Sequence, residues 1–353
     1  MKILDICTVD FSFTGIPVHI RNFYNELKKH NHVDMVAPYF DHTFLKTMPL
    51  FNGTKLYQFN RKKNPIIYLH KLAKIIDKNK YDVIHIHGNS ATMSLELMAC
   101  KNNNAVVIVH THNTQYKAKT LNRIFKNYLL KHADLYFAAS EEAGKKLYGN
   151  HRFYIINNGI DEAKFKFNCN YREKIRNQLK ISKNKIVLGH IGTFNEQKNQ
   201  DFLLELARIL DPNKFHFVLI GDGEKKKFLV KIQNREMFTV LPTTFNINQY
   251  YSAFDMFLFP SKWEGLGMVA VEAQVSGLPC LVSDKVPKSV KISPRLVFLS
   301  LNDIDKWIQA IKENSTEANY RKIGVKHTYD IKICVHTLEK IYKGAVKQNN
   351  GYK

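Results

Sequence analysis

Two carboxylates flanking a glycine turn are the part of this sequence best suited to chemistry. Glu264 and Glu272, with seven residues between them, bracket Gly265-Leu266-Gly267. The segment follows an apolar strand at 255–261 and opens a short helix that ends before Gly277-Leu278-Pro279. A strand, a tight glycine turn and a helix start together point bare backbone N–H groups at an anion. Glu264 lies before the turn and Glu272 roughly one helical turn beyond it, so the carboxylates do not compete for one spot. One can meet a sugar while the other meets a ribose, an arrangement that suits a sugar nucleotide.

Other polar residues gather where strands end. The strand at 105–109 runs into His110-Thr111-His112-Asn113, and Val83-Ile84-His85-Ile86-His87 carries two more rings. His85 and His87 have the chemistry of metal ligands, but no third or fourth ligand follows at suitable spacing, so the expectation for them is acceptor-side or structural. Lys198 follows the strand at 186–191 and the turn Gly192 to Gln197, just before a helix expected over 199–210. A cation at a helix N-terminus is locally unfavourable unless an anion sits there too. Gly15 belongs to the first strand-to-helix loop, and Gly221-Asp222-Gly223 follows the strand at 215–220 in a tight turn. Asp303-Ile304-Asp305 comes late, beside a helical run, where carboxylates serve as caps.

The elements that must position these residues alternate strand and helix from end to end. Apolar runs read as strands at 2–7, 33–37, 83–86, 105–109, 135–138 and 154–156, and again at 185–190, 215–220, 237–241, 255–259 and 280–283. Continuous apolar strands joined by helices imply parallel sheets covered on both faces, and two series imply two Rossmann-like halves. The rhythm breaks within 162–184. Helical spacing returns at the end in Ile331, Val335, Leu338 and Ile341.

The chain of 353 residues favours two domains, and 44% apolar content is ample for two cores. No stretch of eighteen apolar residues suggests a membrane span. The start reads as a first strand rather than a secretory signal. Five scattered cysteines, without metal spacing and mostly in apolar contexts, behave as small core residues, and the expected location is cytoplasmic. The net charge is +22. Residues 1–160 carry 22 basic and 11 acidic side chains and residues 161–353 carry 31 and 20, so no basic tail of the nucleic-acid-gripping kind exists. Two local clusters stand out: Arg61-Lys62-Lys63 leading to Lys71, Lys74, Lys78 and Lys80, and Lys117, Lys119, Arg123, Lys126 and Lys131. Such clusters are either a solvated face or a means of adhering to an anionic inner leaflet, worth about 1 kcal/mol per basic residue held near it. Leu121, Ile124, Phe125, Tyr128 and Leu129 lie among the second group, either as a docking face or as ordinary core.

Glu264 and Glu272 with Gly265 resemble the Glu-x7-Glu signature of the GT-B glycosyltransferases of family 4, also called glycosyl transferases group 1. His110 to Asn113, Asn157-Asn158-Gly159-Ile160-Asp161, Gly192 to Asn199, Gly221-Asp222-Gly223 and Ser276-Gly277-Leu278-Pro279 follow in the family's order, so the resemblance covers nearly the whole chain. It is closest in kind to bacterial exopolysaccharide and capsule enzymes. It implies two Rossmann-like α/β domains facing across a cleft: an acceptor domain at 1–165, a nucleotide-sugar donor domain at 166–328, and a C-terminal helix at 329–353 crossing back to the first domain.

The resemblance also implies roles. Glu264 contacts the donor sugar, Glu272 accepts from the ribose hydroxyls, Lys198 meets the diphosphate, and His110 faces the sugar near the reacting carbon. Gly192, Thr193, Gly265, Leu266, Gly267, Gly221 and Gly15 line the donor, and His112, Asn113 and His87 lie on the acceptor side. Two departures are visible: Thr193 stands where the family usually has Arg, and Ile16 replaces the second glycine of the first loop. The function implied is retaining transfer of a hexose or aminosugar from a nucleotide diphosphate, UDP above all, to a lipid-linked saccharide. No metal or other cofactor is expected, and the location is the inner face of the cell membrane. A sugar-nucleotide epimerase of related fold and, more remotely, a nucleic-acid-binding protein are the alternatives.

Overall fold

The computed structural model describes residues 1–50, 53–101, 103–113, 119–244, 246–314, 321 and 324–351. They form two compact units, one of Met1–Ile160 with Tyr329–Lys353 and one of Asp161–Thr328.

The first unit holds a seven-stranded parallel sheet of β1 (Lys2–Cys7), β2 (His32–Ala37), β3 (Leu56–Gln58), β4 (Val83–Gly88), β5 (Val106–Thr111), β6 (Leu135–Ala138) and β7 (Tyr154–Ile155), in the order β3-β2-β1-β4-β5-β6-β7. Its central strands are buried on both faces, which is why they read as mostly apolar runs, broken by Asp5, His85, His87, His110 and Thr111. One face packs Ile3, Val33, Val106 and Ile108 against the helix Gly15–Leu27 and the last helix, Ile331–Gly351. The other packs Leu4, Ile84, Ile86, Val107 and Val109 against the helices Pro65–Asn79 and Lys119–His132. Ile331, Val335 and Leu338 enter the first core and Ile341 lies at its margin, so the C-terminal spacing marks a helix of this unit.

The second unit repeats the plan with six parallel strands: β8 (Ile186–Ile191), β9 (Phe215–Ile220), β10 (Phe238–Leu241), β11 (Met256–Phe259), β12 (Cys280–Ser283) and β13 (Leu296–Leu299), ordered β10-β9-β8-β11-β12-β13. The helix Cys169–Gln178 is tied to this sheet by charge. Arg172 and Arg176 meet the two oxygens of Asp255 at 2.6 and 3.1 Å, and Asp255 also accepts from the N–H of Val187 at 2.7 Å. β3 and β13 are additional edge strands of three and four residues, outside the apolar runs read as strands from the sequence.

The division between the units falls at 160/161 rather than 165/166. The short helix Glu162–Phe165 belongs to the second unit because Phe165 packs edge-on against Tyr251 and Glu162 accepts from His327 at 2.6 Å. The helix expected from 199 begins at Asp201, because Asn199 adopts a left-handed conformation (φ 54°) that interrupts helical hydrogen bonding. Asp303 behaves as a cap, accepting from the N–H of Lys306 at the start of the helix Ile304–Asn314. Among the described residues no helix is long and apolar enough to cross a membrane.

Candidate functional site

In open parallel sheets, ligands bind beyond the carboxyl ends of the strands, where the strand order reverses. In the second unit that point lies between β8 and β11. The loop after β8 carries Gly192, Thr193 and Lys198, and the loop after β11 carries Glu264 to Gly267, so the topology brings the two groups together.

Their meeting is direct. Lys198 Nζ donates to Glu264 Oε1 at 2.6 Å, with only 17% and 7% of the two side chains exposed. The same ammonium lies 4.8 Å from the centre of the Phe259 ring. Asn195 Oδ1 accepts from the Lys198 N–H at 2.9 Å and holds the loop closed. Gly267, the cap of the helix Met268–Val275, has φ 88°, a conformation that favours glycine, and an added Cβ would stand 3.0 Å from the Phe259 ring. Among the described residues no acceptor meets the N–H groups of Gly265, Leu266 or Gly267. An ion pair therefore sits beside a turn of donors at a helix start, an arrangement open to an anion.

Glu272 lies in the second turn of that helix, not the first, so the helix dipole does not explain it. The buried Tyr251 hydroxyl donates to Glu272 Oε2 at 2.7 Å and orients the carboxylate. Tyr251 is a positioning residue that the sequence did not reveal, since tyrosines inside helices are common core residues.

The glycines at 192 and 221 are there for close approach. A Cβ on Gly221 would lie 2.0 Å from the carbonyl oxygen of Gly192, and one on Gly192 would press the Lys198 stem at 3.1 Å. Phe194 N–H donates to the Asp222 carbonyl at 2.6 Å and Glu224 N–H to the Phe194 carbonyl at 2.9 Å, so the loops after β8 and β9 are stitched together. Gln200 Nε2 reaches the Thr193 carbonyl at 3.0 Å, while the Thr193 residue itself is exposed. Behind them His190 Nδ1 donates to the Leu258 carbonyl at 2.9 Å, and burial pulls its pKa down to about 4, so the ring is neutral.

In the first unit the corresponding reversal lies between β1 and β4. A pocket of about 450 Å³ opens there, lined by Gly15, Asn89, His112, Asn113 and Asn158 among others. Gly15 is exposed at the start of its helix, and a Cβ on it would touch nothing within 4 Å, so packing does not demand glycine. His110 is fully buried behind the pocket, with Nδ1 3.2 Å from His85 Nε2. The ring on the pocket wall is His112, whose Nε2 is 3.1 Å from His87 Nδ1. His87 is buried as well. The expected roles of His110, His112 and His87 thus resolve into one ring at the surface and two behind it. His19, absent from the sequence expectations, joins them from the helix Gly15–Leu27, its Nδ1 2.9 Å from Asn158 Oδ1. Nothing local marks it, because a single histidine on an amphipathic helix shows its neighbours only once the helix lies over the sheet.

The basic clusters divide. Arg61 is not a surface charge: it meets both oxygens of the fully buried Glu96 at 3.0 and 3.1 Å, with Tyr68 donating to the same carboxylate. Lys62, Lys63, Lys71, Lys74, Lys78, Lys80, Lys119, Arg123 and Lys131 are exposed, and Lys126 is half-buried. Lys117 lies outside the described residues. Leu129 is in the core and Phe125 and Tyr128 lie against it, whereas Leu121 and Ile124 face outward, as do Ile66 and Ile67.

The chain matches the family Glycosyltransferase Family 4 over residues 13–164 and the family Glycosyl transferases group 1 over residues 171–321. It is 29% identical over 314 residues to a putative glycosyltransferase, EpsF, of Bacillus subtilis, covering 81% of each chain. It is 28% identical over 301 residues to the Escherichia coli UDP-Gal:alpha-D-GlcNAc-diphosphoundecaprenol alpha-1,3-galactosyltransferase, covering 79% of this chain and 74% of that one. Among solved structures, Anabaena HepE in complex with UDP-glucose superposes with a TM-score of 0.78 at 18% identity, covering 98% of this chain and 100% of that one. A glycosyltransferase from Rickettsia africae gives a TM-score of 0.81 at 15% identity, covering 98% of both. Both are likenesses of fold.

Proposed function

The chain belongs to the family 4, group 1 glycosyltransferases with the GT-B fold, and from that premise we propose that it moves a sugar, with retention of configuration, from a UDP-sugar to a lipid-linked saccharide in exopolysaccharide or capsule synthesis. The observation that carries this reading is the Lys198–Glu264 pair at 2.6 Å beside the open turn Gly265-Leu266-Gly267. Breaking the bond between a sugar and a diphosphate places positive charge on the ring and negative charge on the leaving phosphate. Lys198 and the turn's N–H groups answer the negative charge, and Glu264 and Glu272 answer the sugar and ribose hydroxyls. With these donors in place the diphosphate needs no metal ion to balance it. On the first unit, His112 stands on the pocket wall, with His110 fully buried behind it.

UDP is favoured because the HepE complex holds UDP-glucose, and the lipid-linked acceptor because the E. coli relative is named for a diphosphoundecaprenol substrate. The decisive experiment is a thermal-shift panel of UDP, GDP, ADP and CMP with their common sugars. A ligand at a hundred times its Kd stabilises a fold by about 2.7 kcal/mol, or about 5–10 °C for a unit of this size. A shift with UDP and its sugars is the expected result, and no shift with any uridine nucleotide would remove the donor assignment. Anomeric analysis of the product by NMR tests retention. Turnover of the donor's sugar without any acceptor would favour the epimerase reading instead.

We further propose peripheral attachment to the cytoplasmic face of the membrane. Ile66 and Ile67 are 80% and 52% exposed beside Lys62 and Lys63, and Leu121 and Ile124 are 48% and 65% exposed around Arg123. Apolar side chains at the surface amid cations match an anionic interface. The protein is expected to sediment with vesicles rich in anionic lipid and to stay in solution with neutral ones. Ile66→Ser with Ile124→Ser should weaken sedimentation, and equal binding by this variant would discard the attachment.

A further inference from the structure

We propose that His19, His87, His110 and His112 form a binding site for a divalent transition metal, zinc above all, at the carboxyl end of the first sheet. In a strand, alternate residues share a face. The parallel register sets Asp5 beside His85, and His87 beside His110. Four rings, His85, His87, His110 and His112, therefore converge above β4 and β5, and the helix Gly15–Leu27 lays His19 over them. One ring nitrogen from each of His19, His87, His110 and His112 lies within 4.8 Å of all the others.

Bulk burial of histidine is common, but this cluster has the features of a ligand set. His87 Nδ1 and His112 Nε2 stand 3.1 Å apart, close to the separation of about 3.3 Å between two nitrogens on a tetrahedral zinc. His110 Nε2 is buried and finds no partner among the described residues, an orphaned group that a metal would satisfy. The second shell is also present. Asn158 Oδ1 accepts from His19 Nδ1 at 2.9 Å, which leaves Nε2 of that ring as the free lone pair. Asp5, itself buried, holds Oδ1 3.6 Å from His87 Nε2, so a carboxylate stands behind a ligand ring and offsets part of an ion's charge. His112 on the pocket wall gives the ion a way in. Imidazole nitrogens select zinc, copper, iron or nickel over magnesium or calcium.

The inference stands apart from the donor reading, because every group in it lies in the first unit. Its test reads metal and not activity. The purified chain, stripped by a chelator and dialysed, would be titrated with Zn²⁺ and Co²⁺ and followed by metal analysis, thermal melting and visible absorption. The expected result is one tightly held zinc per chain, a raised melting temperature, and the intense visible bands of four-coordinate cobalt. His112→Gln should weaken zinc binding at least 100-fold, and Asn158→Ala, which removes only the second-shell acceptor, about 10-fold or more. Asn158→Ala keeps the test open if the ring variant does not fold. Failure to retain zinc, or zinc held equally by both variants, would overturn the site.

Discussion

Glu264→Ala is expected to cut turnover by about 10²–10³ while leaving UDP affinity unchanged or raising it up to about tenfold. Lys198 already donates to Glu264 at 2.6 Å. An incoming diphosphate must compete with that carboxylate for the ammonium. Removing the carboxylate releases the ammonium to the phosphate, so ground-state binding gains what the ion pair had held. The transition state loses instead, because the carboxylate contacting the sugar hydroxyls is gone as positive charge builds on the ring. Fold stability should change by only about 1 kcal/mol, since the freed Lys198 can extend its head toward water. Calorimetry with UDP alongside initial-rate kinetics separates these effects. A fall in UDP affinity as large as the fall in turnover would assign Glu264 to the nucleotide and not to the sugar.

Lys198→Ala is expected to weaken UDP binding about 100-fold, the equivalent of one charge-assisted hydrogen-bond set worth about 2–3 kcal/mol. The same substitution strands Glu264, whose side chain is only 7% exposed, without its counter-charge. An uncompensated carboxylate in that position should cost a further 2–3 kcal/mol or so of stability. The double variant Lys198→Ala with Glu264→Ala removes both charges, so stability should largely return while UDP binding does not. That non-additivity in melting, paired with a persistent loss of binding, is the signature of a pair that both bridges two loops and serves the ligand. Unchanged UDP affinity in Lys198→Ala would sink the phosphate role outright.

Much of the architecture was legible because it is written in local patterns. Buried parallel strands are predominantly apolar, so each central strand announces itself in the sequence, and so does the two-fold repetition of the plan. The Glu264–Glu272 segment was legible for the same reason: a strand, a glycine turn and a helix start are all short-range. Leu56–Gln58 is too short to register as a strand, and Leu296–Leu299, apolar throughout, is a four-residue run that periodicity alone cannot assign to strand or helix. The sequence places the boundary near 165 because Glu162–Phe165 is polar enough to pass for a linker, and only its contacts with Tyr251 and His327 show that it packs with the second unit.

Long-range pairings were another matter. Lys198 and Glu264 lie 66 residues apart, and their contact depends on β8 and β11 being neighbours. Arg61 looked like part of a basic surface until Glu96, 35 residues away, was seen to bury its charge. Spacing along the chain offers His85 and His87 no third ligand. Strand register and the covering helix then place four histidines within 4.8 Å. Periodicity and turn chemistry thus decide which elements form and which residues stand at their ends, because those forces act between near neighbours. The order of strands in a sheet, and hence which ends share a site, is decided by the packing of whole faces, and no short window of sequence carries that information.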